Sequence, residues 1–267
     1  MIHRYLHGYT SQEGQRLHDQ ASTLSDLLHF DTLYPSGHRV LEAGCGVGAQ
    51  TILLAKHSPG AHITAVDISE DSLVQAKRLT EAGNTGNIQF EVQDVNALSY
   101  KDSSFDHVFV CFLLEHMKDP IRTLTELKRV LKSGGTMTVI EGDHGSAYFY
   151  PDSEAARKAI RCQVSLQARS GGNANIGRSL YPLMVHAGFT NPYVTPRMVY
   201  ADESRPTLVE GFTRNTFIAM IKGVRDLVSE EKLMDLKTFD QGIRDLYQTA
   251  GPGGTFCYTF FKAQAVK

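Results

Sequence analysis

The chain has 267 residues, 42% of them hydrophobic and 21% charged, an ordinary globular composition that excludes disorder, collagen-like repeats and low-complexity sequence. Its 27 Lys+Arg stand against 29 Asp+Glu, a formal charge of -2, so nothing in the balance points to duplex nucleic acid or an anionic membrane surface. No apolar run approaches the roughly 20 residues that span a bilayer, the first residues lack the apolar core of a secretion signal, and Cys45, Cys111, Cys162 and Cys257 form no CxxC pair; a cytoplasmic protein with free thiols and no metal is expected.

In chain order, Thr10-Ser11-Gln12-Glu13 reads as a capping box. Leu17, Ala21, Leu24 and Leu28 follow at helical spacing and predict a helix over about 11–29. Strands are expected at 38–43, 62–67, 88–93, 105–112 and 136–141. Between them fall helices at 49–57, after the cap residue Ser69, and from the N1 proline Pro120 to about 131, closed by Gly134-Gly135. Such alternation predicts a parallel sheet with helices on both faces. The rhythm breaks after Glu141. A helix over 153–168, a break at Gly171-Gly172-Asn173, a helical stretch ending at Gly188 and strands at 192–200 and 254–265 complete the chain. The helical segment at about 207–250 is too long for a simple connection and reads as a lid or cap.

Val40-Leu41-Glu42-Ala43-Gly44-Cys45-Gly46-Val47-Gly48 runs from the first strand into a helix. Glycines there allow a tight turn and close approach of the main chain to a ligand. Asp67 ends the next strand, where a carboxylate can hold both ribose hydroxyls of a nucleoside; the alternative is a capping role beside Ser69. Ala49 keeps a dinucleotide-type spacing open, so the loop by itself does not exclude a nicotinamide cofactor. Asp94 ends the third strand and suits the exocyclic amine of adenine, or else caps a turn with Asn96. Tyr258 and Lys262 share one face of the last strand, not the helical turn that a short-chain dehydrogenase needs.

Together, Glu42 through Gly48, Asp67, Asp94 and Leu131-Lys132-Ser133-Gly134-Gly135 resemble the signature of class I S-adenosylmethionine-dependent methyltransferases, most nearly the small-molecule enzymes of the ubiquinone/menaquinone and sterol type. The resemblance is strong over 37–141 and extends more loosely to the last strand. It implies an α/β, Rossmann-like sheet of seven strands, mostly parallel with the last antiparallel, with helices on both faces and helical insertions at about 147–187 and 203–250 forming a cap. Residues 1–36 would be a helical segment closing over the cofactor, and 37–267 the methyltransferase domain. The cofactor implied is S-adenosylmethionine. Gly44, Cys45, Gly46 and Gly48 would pass under its methionine part, with Cys45 a small spacer. Glu42 would face the sulfonium end and fix the ammonium through water or the loop backbone, or serve as an acid near a helix terminus. Asp67 would bind the ribose and Ile68 the adenine face, Asp94 and Val95 the adenine edge, while Cys111 and Phe112 would lie beside the methyl. Tyr9, Arg16 and Gln20 are candidates for the methionine carboxylate, the last two one helical turn apart, with a solvated helix face as the alternative.

Methyl transfer from a sulfonium is an in-line displacement. The protein must align the groups, exclude water and take a proton where the acceptor requires it. Candidate bases follow the fourth and fifth strands: His116 in Leu114-Glu115-His116, which also reads as a packing residue, and His144 beside Asp143 in Glu141-Gly142-Asp143-His144-Gly145-Ser146. No further carboxylate cluster supports a divalent metal. Arg178 and Arg197 are candidates for an acidic acceptor, and Tyr148, Phe149, Phe212 and Phe217 for an apolar pocket, against ordinary ion pairing and core packing. A small-molecule acceptor is expected, with a nicotinamide-dependent oxidoreductase as the alternative; the oligomeric state is open.

Overall fold

The computed structural model describes residues 11–83 and 85–267, and their side chains except those of 11–13 and 15. The predicted capping box and Tyr9 lie outside what is described. Helix α1 (Ser11–His29) leads to β1 (Arg39–Ala43), α2 (Thr51–His57), β2 (His62–Asp67), α3 (Glu70–Ala82), β3 (Ile88–Val92), β4 (Phe105–Cys111), a 3-10 turn (Leu114–His116), α4 (Pro120–Val130) and β5 (Leu131–Tyr150). There follow α5 (Glu154–Arg169), a second 3-10 turn (Ile176–Ser179), α6 (Leu180–His186) and β6 (Thr190–Ala201). The last elements are α7 (Pro206–Leu208), a π-helix (Val209–Ile218), α8 (Ala219–Gly223), α9 (Arg225–Glu230), α10 (Leu236–Thr249) and β7 (Thr255–Val266).

The strands form one sheet in the order β3-β2-β1-β4-β5-β7-β6. The first five are parallel, Val40 pairing with both Ile63 and His107. Strand β7 runs antiparallel to β5: Gly134 donates to the Lys267 carbonyl and Lys267 to that of Gly135, while the Thr259 N–H meets the Ser146 hydroxyl. The expected sheet is therefore present. Its order reverses between β1 and β4, and open α/β sheets take their ligands at the carboxyl ends of the strands at such a point.

Local chemistry explains the element starts. Ser69 is extended and its hydroxyl accepts from the Ser72 N–H (3.2 Å), with Glu70 and Asp71 in the first turn of α3. Asp119 accepts from the Arg122 N–H (3.0 Å) ahead of Pro120, which opens α4.

The chain forms two compact units. One comprises 28–141, 176–196 and 261–267; its core joins Leu41, Val66, Val108, Val110 and Val139 of the strands to Leu124 and Leu127 of α4. Each such side chain stabilises by roughly 1.5–3 kcal/mol through burial. In this unit the ammonium of fully buried Lys262 bonds Asp31 Oδ1 (2.5 Å), Thr32 Oγ1 (2.6 Å) and the Leu28 carbonyl (3.4 Å), tying β7 to the segment after α1. The other unit comprises the chain to Leu27, 142–175 and 197–260. Its interior is aromatic, with Phe217 against Phe256 and Tyr258 against Phe260 at ring-centroid distances of 4.8 Å. Gly242 lets α10 approach the Ala155 carbonyl of α5, where any Cβ would collide.

Two boundaries differ from the sequence expectation. Strand β5 continues nine residues past Glu141 to Tyr150, so the helical insertion expected from about 147 starts only at α5. Gly142-Asp143-His144-Gly145-Ser146 has a turn-like composition, but pairing to β7 overrides that local preference. Helix α4 ends at Val130 with Leu131 already extended, and Gly134 (φ +74°) lies inside β5 rather than capping the helix. No helix among the described residues is long and apolar enough to cross a membrane.

Candidate active site

The turn from β1 into α2 carries three glycines in the left-handed region: Gly44 (φ +74°), Gly46 (φ +52°) and Gly48 (φ +80°). The Gly44 and Cys45 N–H groups donate to the Val66 carbonyl (2.8 and 3.0 Å), clamping the turn to β2. A Cβ on Gly44 would strike Leu113, and one on Gly48 would strike Ala76 of α3. Gly46 differs: no heavy atom lies within 4 Å of where its Cβ would stand. Its N–H donates to Asp67 Oδ2 (2.9 Å), while Asp67 Oδ1 accepts from the Ser69 N–H (2.9 Å). Asp67 thus points at the turn and braces the start of α3 as well. Each oxygen spends one lone pair on a backbone N–H and keeps another.

The other candidates of the same unit are in different states. Ile68 is 66% exposed beside Asp67. Asp94 is exposed, and its Oδ1 accepts from the Asn96 N–H (2.9 Å) and side-chain amide (3.1 Å), the turn-capping arrangement. Val95 packs into the core with its side chain. Cys111 is buried and Phe112 follows at φ +57°. His116 sits in the 3-10 turn, its Nε2 3.6 Å from Glu115 Oε1.

Buried acids dominate the electrostatics. Glu42 is fully enclosed. Burial pushes its pKa up to about 7, the Thr51 hydroxyl opposing and the Asp67 charge adding to the rise. Its Oε2 makes no hydrogen bond among the described residues. Glu141, also buried, is held well above the usual carboxylate range by desolvation and by Glu115. Burial and nearby acids likewise push the Cys45 and Cys111 thiols up, Glu42 and Asp67 acting on the first, Glu141, Glu42 and Glu115 on the second. Neither has the thiolate character of a nucleophile. At the end of α1, His29 bonds Gln50 Oε1 (2.7 Å) at the start of α2, and burial lowers its pKa to about 4. Glu141 and the His29–Gln50 pair carried no role in the sequence reading. The signal for Glu141 was an acid closing an apolar strand; for His29 there was none.

The other unit holds Gln20, Asp143 and His144. Gln20 is buried and Oε1 accepts from Arg16 (3.4 Å), as their one-turn spacing implies. Asp143 Oδ1 accepts from the Gly145 N–H (3.1 Å). His144 Nδ1 lies 3.0 Å from the Ala174 carbonyl and 3.1 Å from the Tyr258 hydroxyl, with the Phe217 ring alongside. A carbonyl only accepts, so Nδ1 carries the proton and Nε2 the lone pair of the neutral ring. Tyr258, set aside as half of a dehydrogenase pair, is thus a partner of the candidate base. No group of three or more His, Cys, Asp or Glu suited to a metal occurs among the described residues.

A methyltransferase-domain family model matches residues 35–185. The chain is 34% identical over 202 residues to an uncharacterized 37.1 kDa protein in a transposon of Streptomyces fradiae, covering 74% of this chain and 57% of that protein. It is 29% identical over 212 residues to an uncharacterized methyltransferase of Schizosaccharomyces pombe, covering 77% and 74%. In fold it resembles phosphoethanolamine N-methyltransferase 2 of Haemonchus contortus, solved with phosphomonomethylethanolamine and S-adenosylhomocysteine (TM-score 0.59, 17% identity, 97% of this chain and 58% of that one). The chain therefore spans little more than half the length of the Streptomyces and Haemonchus proteins. These matches give the nicotinamide alternative no support. Sheet order, glycine turn, acidic partner and family match agree: the chain belongs to the class I S-adenosylmethionine-dependent methyltransferases.

Proposed function

We propose that this chain transfers the methyl group of S-adenosylmethionine to a small-molecule acceptor, at O, N, S or C, by in-line displacement. The observation that carries this reading is the Gly46 N–H held on the Asp67 carboxylate at an open turn, where the sheet order reverses. The site suits the cofactor chemically: a carboxylate with spare lone pairs for two ribose hydroxyls, an exposed Ile68 for a purine face, and a buried acid, Glu42, for an ammonium. The cofactor supplies an electrophilic methyl group on a sulfonium.

This chain's residues do the holding and aligning. In this reading Gly44, Cys45, Gly46 and Gly48 line the methionine part, Asp67 binds the ribose, and Ile68, Asp94 and the Val95 backbone receive the adenine. Cys111 and Phe112 flank the methyl end, while Tyr9 and Gln20 serve the methionine carboxylate. His144 is the base for an acceptor that must lose a proton, since its Nδ1–H is donated to the Ala174 carbonyl and Nε2 carries the lone pair. Asp143 steadies its own strand through the Gly145 N–H, and His116 is the second candidate base. Four buried free cysteines support a reducing, cytoplasmic setting.

Calorimetry tests the reading: S-adenosylhomocysteine should bind and NADPH should not, and the reverse would reject it. Label from methyl-tritiated cofactor, traced into metabolite pools, would then identify the acceptor.

A further inference from the structure

We propose that Glu141 is a positioning residue for the donor end of the site: its buried carboxyl group pins the loop after β4 and, through Leu113, the wall against which the glycine turn rests. The role builds on the cofactor reading above. Glu141 follows Ile140, which pairs with Cys111 at the end of β4. Its Oε1 accepts two successive backbone N–H groups, from Leu113 (3.0 Å) and Leu114 (2.6 Å). These open the 3-10 turn Leu114–His116, so a side chain from the neighbouring strand does what a capping residue does from within the chain.

The residue before them, Phe112, has φ +57°, a region that side-chain-bearing residues avoid. Its N–H donates to the Ile140 carbonyl (2.9 Å). Strand β5 therefore holds the chain on both sides of Phe112, and a local conformation with its own strain persists because its surroundings over-determine it. Leu113 completes the link. Its side chain stands where a Cβ of Gly44 would come within 2.7 Å, so the loop that Glu141 holds is in direct packing contact with the turn. Glu141 Oε2 makes no hydrogen bond among the described residues, and Glu115 lies on the turn being held. Burial and Glu115 push the Glu141 pKa up while the backbone N–H groups it accepts oppose the rise, and Gln keeps the reach and the acceptor oxygen without the charge.

The test pairs Glu141→Gln, which keeps the acceptor oxygen, with Glu141→Asp, which keeps the carboxyl but loses reach. Calorimetry with S-adenosylhomocysteine and hydrogen exchange at the Leu113 and Leu114 amides are read on protein shown to be folded by circular dichroism. Glu141→Gln should bind within about threefold of wild type with both amides protected, and Glu141→Asp about tenfold or more weakly with both exchanging faster. A folded Glu141→Asp protein that binds as wild type does, despite a lower melting temperature, would make the residue merely structural and overturn the proposal. So would a Glu141→Gln variant as weak as Glu141→Asp. Wild-type protein that binds no S-adenosylhomocysteine would overturn the cofactor reading itself, and this role with it.

Discussion

Asp67 does two things with one carboxylate, orienting the glycine turn and bracing α3, and both oxygens are already in place for a diol. Asp67→Ala should weaken S-adenosylhomocysteine binding by about 1–3 kcal/mol through unpaired hydroxyls; unchanged affinity by calorimetry would remove the residue from the site. Glu42 presents a different case. With a pKa of about 7 it is half protonated near neutrality, whereas an ammonium beside it favours the ionised form. Affinity should therefore rise between pH 6 and 8 in wild type and stay flatter in Glu42→Gln, and equal slopes in the two titrations would refute this. For His144 the expected outcome is lower turnover on His144→Ala with cofactor affinity unchanged, once an acceptor is in hand; full activity would exclude it as the base.

At the scale of elements, the three turn glycines are not equivalent. Gly46→Ala places a methyl group in open space, so folding should lose only the roughly 1–2 kcal/mol of a left-handed alanine, while cofactor binding suffers. Gly48→Ala adds a clash with Ala76 of α3 and about 1–3 kcal/mol more. Urea denaturation and calorimetry on the two variants would separate these effects, and equal stability loss would contradict the packing seen. Strand β7 is held by Lys262. Lys262→Met removes one partner of a buried ion pair and should cost about 3 kcal/mol, at the low end because the Asp31 side chain is 33% exposed and rehydrates. A loss under about 0.5 kcal/mol in urea midpoints would show the tie to be incidental.

For the whole molecule, buried groups set the pH dependence of the cofactor-free protein. The folded pKa of Glu42 is raised from 4.5 to about 7, so its contribution is complete below pH 4.5 and is lost as pH rises through 7. Glu141 acts in the same direction. The folded pKa of His29 is lowered from 6.5 to about 4, so its contribution is complete above pH 6.5 and is lost as pH falls through 4. The Glu42 and His29 effects are each about 3 kcal/mol and oppose one another between pH 4.5 and 6.5. Melting temperatures should accordingly fall from pH 5.5 to 8 in wild type and fall less in Glu42→Gln. In His29→Gln the decline should begin nearer pH 4.5, with no opposing limb. Parallel profiles in all three would show that neither group is linked to folding.

Much of this protein was legible in its residue order. Alternating apolar runs and caps located nearly every element, because a strand or an amphipathic helix must repeat its apolar positions at a period of two or 3.6. Glycines at 44, 46 and 48 marked the turn, since only glycine enters the left-handed region without strain, and Asp67 was legible as their partner from its place at a strand end. Long-range pairing was not. Residues 142–146 look like a turn and are a strand because β7 lies beside them. Glu141 acquires a role only from the amides of Leu113 and Leu114, and His144 its tautomer only from the Ala174 carbonyl. Lys262 is buried only because Asp31 and Thr32 come to meet it. Local periodicity is written in neighbouring residues, but the burial and partners of a polar group depend on chain segments that can lie more than two hundred positions away, and those the tertiary structure alone decides.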